Sequence, residues 1–239
     1  MPKKNILPLG TTKFPPIQIT EAELFILESL RLEDEQAGRF EGKIMADILT
    51  LCGRKPIYYY FRTPEELVEF AGEFRKKGYR FLHLSCHGFP GGIETTLGKI
   101  SSERFANIFA GILKNRRLFI SACSVGKGFL PKLVGETNKG MYSILCPVDK
   151  IQFNHAAAIW AAFYTRMFDF PVAQITDKPS FKNAQIRKSL ESLCLLFDVR
   201  FMWSYHDSKN DKWVHDTIPS SKTSNPHRQT KRNDQPVLK

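Results

Sequence analysis

The stretch YRFLHLSCHGFPGG, residues 79–92, decides the fold: an apolar run stops abruptly at Cys86-His87-Gly88 and passes into a glycine-rich loop. A short, nearly continuous apolar run bounded by turn residues reads as a strand buried on both faces. A second run, RRLFISAC (116–123), ends in the same manner on Cys123. Between them, ISSERFANIFAGILKN (100–115) has the capping serine and spacing of an amphipathic helix.

The same rhythm extends outward in both directions. ELFILESL (23–30) is a strand, and residues 33–53 follow with helical spacing that sets Phe40, Ile44, Ile48 and Leu49 on one face. PIYYYFRT (56–63) is an aromatic strand. Thr63, Pro64 and Glu66 then mark a capped helix start, and that helix runs into basic residues and a glycine. MYSILCPV (141–148) is a further strand, 154–168 and 180–197 are helices, and RFMWSYHD (200–207) is a last strand. Apolar strands alternating with helices predict a three-layer α/β/α sandwich around a mostly parallel sheet of about six strands. Length and composition predict one domain over 20–218, an N-terminal arm over 1–19, and a basic tail over 219–239. From Ser220 the tail has five Lys or Arg against one Asp and little to bury, so disorder is expected there.

Ligands of such sheets bind beyond the carboxyl ends of the strands, where loops and helix starts converge. His87 and Cys123 each stand at such an end, and if their strands are neighbours the imidazole and the thiol share one rim. A thiolate is a nucleophile, and a neighbouring histidine can hold it as an ion pair and later protonate a leaving amine. The backbone N–H groups of Gly88 and Cys123 could face the same space and stabilise an oxyanion. Ser121, Ala122, Ser124 and Gly126 are small enough to leave room for a substrate chain.

Other chemistries fit poorly. GKG at 126–128 lacks the first glycine and the final Ser/Thr of a phosphate-binding loop. Only Cys194 and Arg200 have the spacing of a thiol phosphatase, on a helical segment without glycine. No two cysteines are spaced as a zinc knuckle, so neither metal nor cofactor is expected. The net charge of +11 is read as solvated charge, since no aromatic-basic interleaving marks a nucleic-acid platform. Five cysteines and no apparent signal peptide or membrane span predict free thiols in the cytoplasm. His83 reads as a satisfied core histidine, Cys86 as a core residue on the face opposite His87, and Cys52, Cys146 and Cys194 as packing. Trp160 and Trp203 read as anchors of the core or an interface.

A strand ending Ser85-Cys86-His87-Gly88, a helix, and a strand ending Ser121-Ala122-Cys123-Ser124 together resemble the CHAT branch of the caspase-like cysteine peptidases, over roughly Glu23 to Asp207. The resemblance implies a caspase-like fold, with His87 as catalytic histidine, Cys123 as nucleophile and the amides of Gly88 and Cys123 as oxyanion hole. It departs from caspases proper: the nucleophile lies in Ser-Ala-Cys-Ser-Val-Gly, and only 36 positions separate His87 from Cys123. Ser121 stands where metacaspases carry an aspartate, so their Arg/Lys preference does not transfer. The loop after the first strand commonly lines the pocket for the residue preceding the cut in this fold. Glu33, Asp34, or Asp149 just past the strand at 141–148 would there favour a basic residue; alternatively, Glu33 and Asp34 cap the first helix. The resulting expectation is a cytoplasmic cysteine endopeptidase with a dedicated protein substrate, switched on by a separate protein partner in bacterial signalling or defence. The competing class is a non-catalytic relative that serves as a binding or assembly module.

Overall fold

The computed structural model describes residues 20–169, 182–207 and 209–219. The N-terminal arm and all of the tail beyond Pro219 lie outside them, as do the first residues of the helix predicted from 180. The chain runs β1 (Glu21–Ser29), α1 (Leu32–Gln36), α2 (Glu41–Leu51), β2 (Ile57–Tyr60), α3 (Pro64–Lys77) and β3 (Tyr79–Phe89). It continues with β4 (Gly92–Thr95), β5 (Gly98–Ser101), α4 (Ser102–Ile108), β6 (Arg117–Ser121), α5 (Leu130–Thr137) and β7 (Ser143–Pro147). It closes with α6 (Phe153–Asp169), α7 (Asn183–Phe197), β8 (Phe201–Asp207) and β9 (Lys212–Ile218).

The main sheet has the order β2-β1-β3-β6-β7-β8-β9. Its first five strands are parallel, and β8 and β9 add antiparallel to β7 and to each other. Strand alternation divides the core into two faces. Phe25, Leu27, Leu82, Leu84, Leu118 and Ile120 pack beneath α3, α4 and α5. Leu24, Ile26, Phe81 and Phe119 pack beneath α2, α6 and α7, where Trp160, Phe163 and Tyr164 are fully buried. This is the three-layer sandwich predicted from the alternation of strands and helices.

The α3 start is the one read from sequence: Thr63 Oγ1 accepts from the Glu66 amide at 3.2 Å, and Glu66 accepts from the Thr63 amide at 3.0 Å. Gly78 closes the helix at φ +72°. The α2 stripe differs from the sequence reading, because Gly42, Met45 and Leu49 face the core while Ile44 is half exposed. Gly42 lets the helix approach β1 closely; a Cβ there would stand 3.0 Å from Ile26 Cγ2. Ile44 lines a cavity instead.

Four elements were not anticipated. The Gly-rich stretch after His87 folds into the β4–β5 hairpin, and α4 is correspondingly shorter than the helix predicted over 100–115. The helix α5 and the strand β9 complete the set. Cys52, expected to be packed, is exposed at the end of α2.

Candidate active site

Strands β3 and β6 are neighbours in parallel register, with Ser85 opposite Ser121. Two residues further on, His87 and Cys123 follow the alternation of Phe81 and Phe119, which places both on the α2/α6 side of the sheet. They line one cavity of about 60 Å³ together with Glu41, Cys86, Ser121, Ala122, Pro147, Ile151, Phe153 and Ala156. The backbones are tightly apposed here. A Cβ on Gly88 would lie 2.5 Å from the Cys123 carbonyl oxygen and 3.0 Å from the Ala122 carbonyl carbon, so only glycine fits after His87.

At His87 the strand changes partners. Up to Ser85 it pairs with β6, whereas His87 stands opposite Glu94 of the β4–β5 hairpin. The imidazole is held from two directions. Its Nε2 lies 2.6 Å from Asp34 Oδ2, and its ring meets Phe153 edge to face at 5.4 Å between centroids. Asp34 also accepts from Arg39 at 2.6 Å, and the Arg39 guanidinium lies 5.8 Å from the Phe153 ring centroid. Burial pushes the Asp34 carboxyl up, but the hydrogen bonds and charges of His87 and Arg39 outweigh it, and the group sits below the ordinary carboxylate range. An ionised Asp34 accepts a hydrogen bond from the Nε2–H, which leaves Nδ1 as the nitrogen able to act as base.

Cys123 leaves its strand into a sharp turn. Ser124 takes the left-handed conformation, φ +61°, ahead of a short 3-10 turn over 125–127. The Cys123 thiol reaches the Ile151 carbonyl at 3.5 Å, and the Ile151 amide points back to the sulfur at 3.4 Å. Gly126, expected to make room for substrate, instead packs against Pro147, where a Cβ would meet the carbonyl oxygen at 2.8 Å.

The remaining carboxylates predicted to read substrate are placed elsewhere. Glu33 is exposed and borders a separate cavity with Arg31, Glu94 and Lys99. Asp149 holds Arg200 through both oxygens, at 2.8 and 2.9 Å, and Lys127 at 3.2 Å. Asp34 is engaged by His87 and Arg39, and none of the three lines the cavity that holds the thiol. Glu33 and Asp34 both stand in the first turn of α1, whose N-cap Arg31 makes no side-chain cap bond.

The carboxylate in that cavity is Glu41, which the sequence reading passed over. It is the first residue of α2, it is 4% exposed, and its Oε1 has no hydrogen-bond partner among the described residues. His83 lies beneath it, with Nδ1 2.9 Å from the Tyr164 hydroxyl and Nε2 3.8 Å from Glu41 Oε1. The expectation of a satisfied core histidine therefore holds for one ring nitrogen only. Cys86 is buried on the opposite face among the α3–α5 residues, and burial raises its thiol well above the ordinary value.

No protein-family model matches this chain, and no curated protein does. Among solved structures it is similar to a secreted C11 cysteine protease from Bacteroides thetaiotaomicron, "iotapain", with a TM-score of 0.45 and 7% identity, over 78% of this chain and 67% of that one. Among the described residues no helix is long and apolar enough to cross a membrane.

Proposed function

We propose that this chain is a cysteine endopeptidase of the caspase-like kind in which Cys123 is the nucleophile and His87 the general base and acid. The observation that carries the reading is one cavity lined by a thiol and an imidazole from adjacent parallel strand ends, with an ionised carboxylate on Nε2 of the ring. His87 Nδ1 takes the thiol proton as Sγ attacks the substrate carbonyl. The tetrahedral oxyanion accepts from the amides of Gly88 and Cys123. Collapse breaks the C–N bond, His87 returns its proton to the amine, and a thioester remains on Cys123. Water, deprotonated by the same nitrogen, then releases the acid and restores the thiol.

The thiol's engagement with Ile151 and the small volume of the cavity suit a resting arrangement. On this reading a separate protein partner opens it, and the substrate is a dedicated protein in a bacterial signalling or defence pathway, as the resemblance to CHAT peptidases implies. Five free thiols suit a reducing cytoplasm.

The test is covalent labelling by an acyl-type electrophile, comparing the parent with Cys123→Ala and His87→Ala, with and without host lysate. Labelling that needs both residues supports the peptidase. Labelling spread over the other cysteines and indifferent to His87, even with lysate, would instead make the chain a binding module.

A further inference from the structure

The segment that joins β7 to α6 takes hold of Cys123. Ile151, two residues before α6, meets the sulfur with both of its backbone groups: its amide donates to Sγ at 3.4 Å, and its carbonyl accepts from the thiol at 3.5 Å. A thiol carries one proton, and here that proton is directed at the Ile151 carbonyl. Among the described residues no hydrogen bond joins the thiol to His87, whose ring is engaged by Asp34 and Phe153. The proton that must pass to His87 Nδ1 when the sulfur attacks is thus turned to a different acceptor.

Residues 148–152 form neither helix nor strand, so their place depends on what ties them down. At one end the Gln152 carbonyl accepts from the Ala156 amide at 2.8 Å, where α6 begins. At the other, the Val148 amide donates to the Arg200 carbonyl at 2.8 Å, and the Ser124 amide to the Asp149 carbonyl at 3.4 Å. The Asp149 carboxylate then takes Arg200, just before β8, on both oxygens, and Lys127 from the turn that follows Cys123. Those hydrogen bonds, that of Arg200 above all, hold the Asp149 carboxyl below the ordinary carboxylate range against its partial burial. The three side chains are between 32% and 53% exposed, so the tie is weak and salt screens it. We propose that residues 148–152 are an autoinhibitory latch: closed, the Ile151 backbone keeps the Cys123 proton from His87, and the Asp149–Arg200–Lys127 cluster is the lock whose release frees it. The latch rests on the peptidase reading above and names how that site is kept silent. An opener then has only to act on the cluster at the rim, and not inside the cavity of about 60 Å³.

The test is the rate of alkylation of Cys123 by iodoacetamide, an uncharged probe, in the full chain without lysate. Mass spectrometry reads it together with Cys146 and Cys194, buried thiols that report loosening of the fold. The parent is compared with Asp149→Asn, Arg200→Met and the double variant, each also with His87→Ala, and thermal melting is recorded for all. Either single variant should speed Cys123 about three- to fivefold, the size of an exposed ion-pair cluster, and the double variant should add little because both break one lock. Raising salt from about 0.05 to about 0.5 M should speed the parent toward the same rate and leave Asp149→Asn unmoved. His87→Ala should slow the latched and unlatched forms alike, since both react through the open state. No gain from either variant or from salt, with labelling still slowed by His87→Ala, overturns the latch and leaves the peptidase standing. So does a gain shared by Cys146 and Cys194 in a protein that melts early, because the fold and not the latch has then opened. Labelling indifferent to His87 in every form overturns both.

Discussion

Replacing Asp34 by asparagine keeps the shape of the side chain and removes the charge that faces His87. In the proposed reaction the Cys123 proton passes to Nδ1, and the ring becomes a cation whose other N–H points at Asp34 Oδ2 across 2.6 Å. The side chains of the two partners are 20% and 9% exposed, so solvent screens the contact little. A hydrogen bond to a charged group is worth about 1.5–3 kcal/mol, which corresponds to about 10- to 150-fold in rate. Asparagine can also present its amide N–H to Nε2, which would place the ring proton on Nδ1 and block it as a base; a comparable error in a serine peptidase triad costs about 10⁴-fold. The expected loss therefore lies between about tenfold and 10⁴-fold. The assay is the second-order rate of iodoacetamide alkylation at Cys123, read by mass spectrometry on folded protein, with His87→Ala as the floor. An Asp34→Asn protein that melts like the parent and alkylates at the parent's rate would refute the assignment of Asp34 as the group that positions His87.

Gly88→Ala drives a Cβ to within 2.5 Å of the Cys123 carbonyl, so the strand ends must separate; overpacking of about 1–3 kcal/mol should lower Tm by roughly 2–10 °C and suppress Cys123 labelling. Tyr164→Phe leaves His83 Nδ1 buried without its partner, and denaturant titration should show a loss of about 1–3 kcal/mol while the labelling rate stays within about threefold. Burial pushes the Glu28 carboxyl from 4.5 up to about 7, against the hydrogen bonds it accepts. The folded state thus binds the proton more tightly, and this group's contribution to stability falls as pH rises from about 4.5 to 7, by about 3 kcal/mol in all. The stability difference between parent and Glu28→Gln, measured by urea unfolding across that window, should therefore shift in favour of the variant as pH rises; a flat difference would contradict it. Asp149→Ser removes an exposed ion-pair cluster on the rim, and it should cost no more than about 1 kcal/mol and leave the residue preference at the cut unchanged.

The buried strands were legible because apolar residues on both faces of a parallel strand leave few other readings for runs such as 79–86 and 116–123. His87 and Cys123 were legible for the same reason: a titratable ring and a thiol at the ends of such strands stand out against their surroundings. Asp34 was not, since 53 positions separate it from His87 and an acid near a helix start has a sufficient local explanation in the helix dipole. Glu41 was hidden by the same ambiguity, and the rotation of α2 that buries it depends on how closely Gly42 approaches Ile26. The β4–β5 hairpin was hidden by its glycines, which locally resemble a loop. Strand β9 was hidden by Lys212 and Asp216, polar residues on an outermost strand that burial does not constrain.

The change of partner along β3 divides the candidate machinery into two mechanical parts. Cys123 follows β6, whose backbone is paired on both sides, to β3 and to β7. His87 is carried by the root of a projecting hairpin, with Glu94 opposite it and ion pairs from Arg31 and Lys99 on that same glutamate. A change in the angle of the hairpin to the sheet would therefore displace His87 relative to Cys123, which is anchored in the sheet.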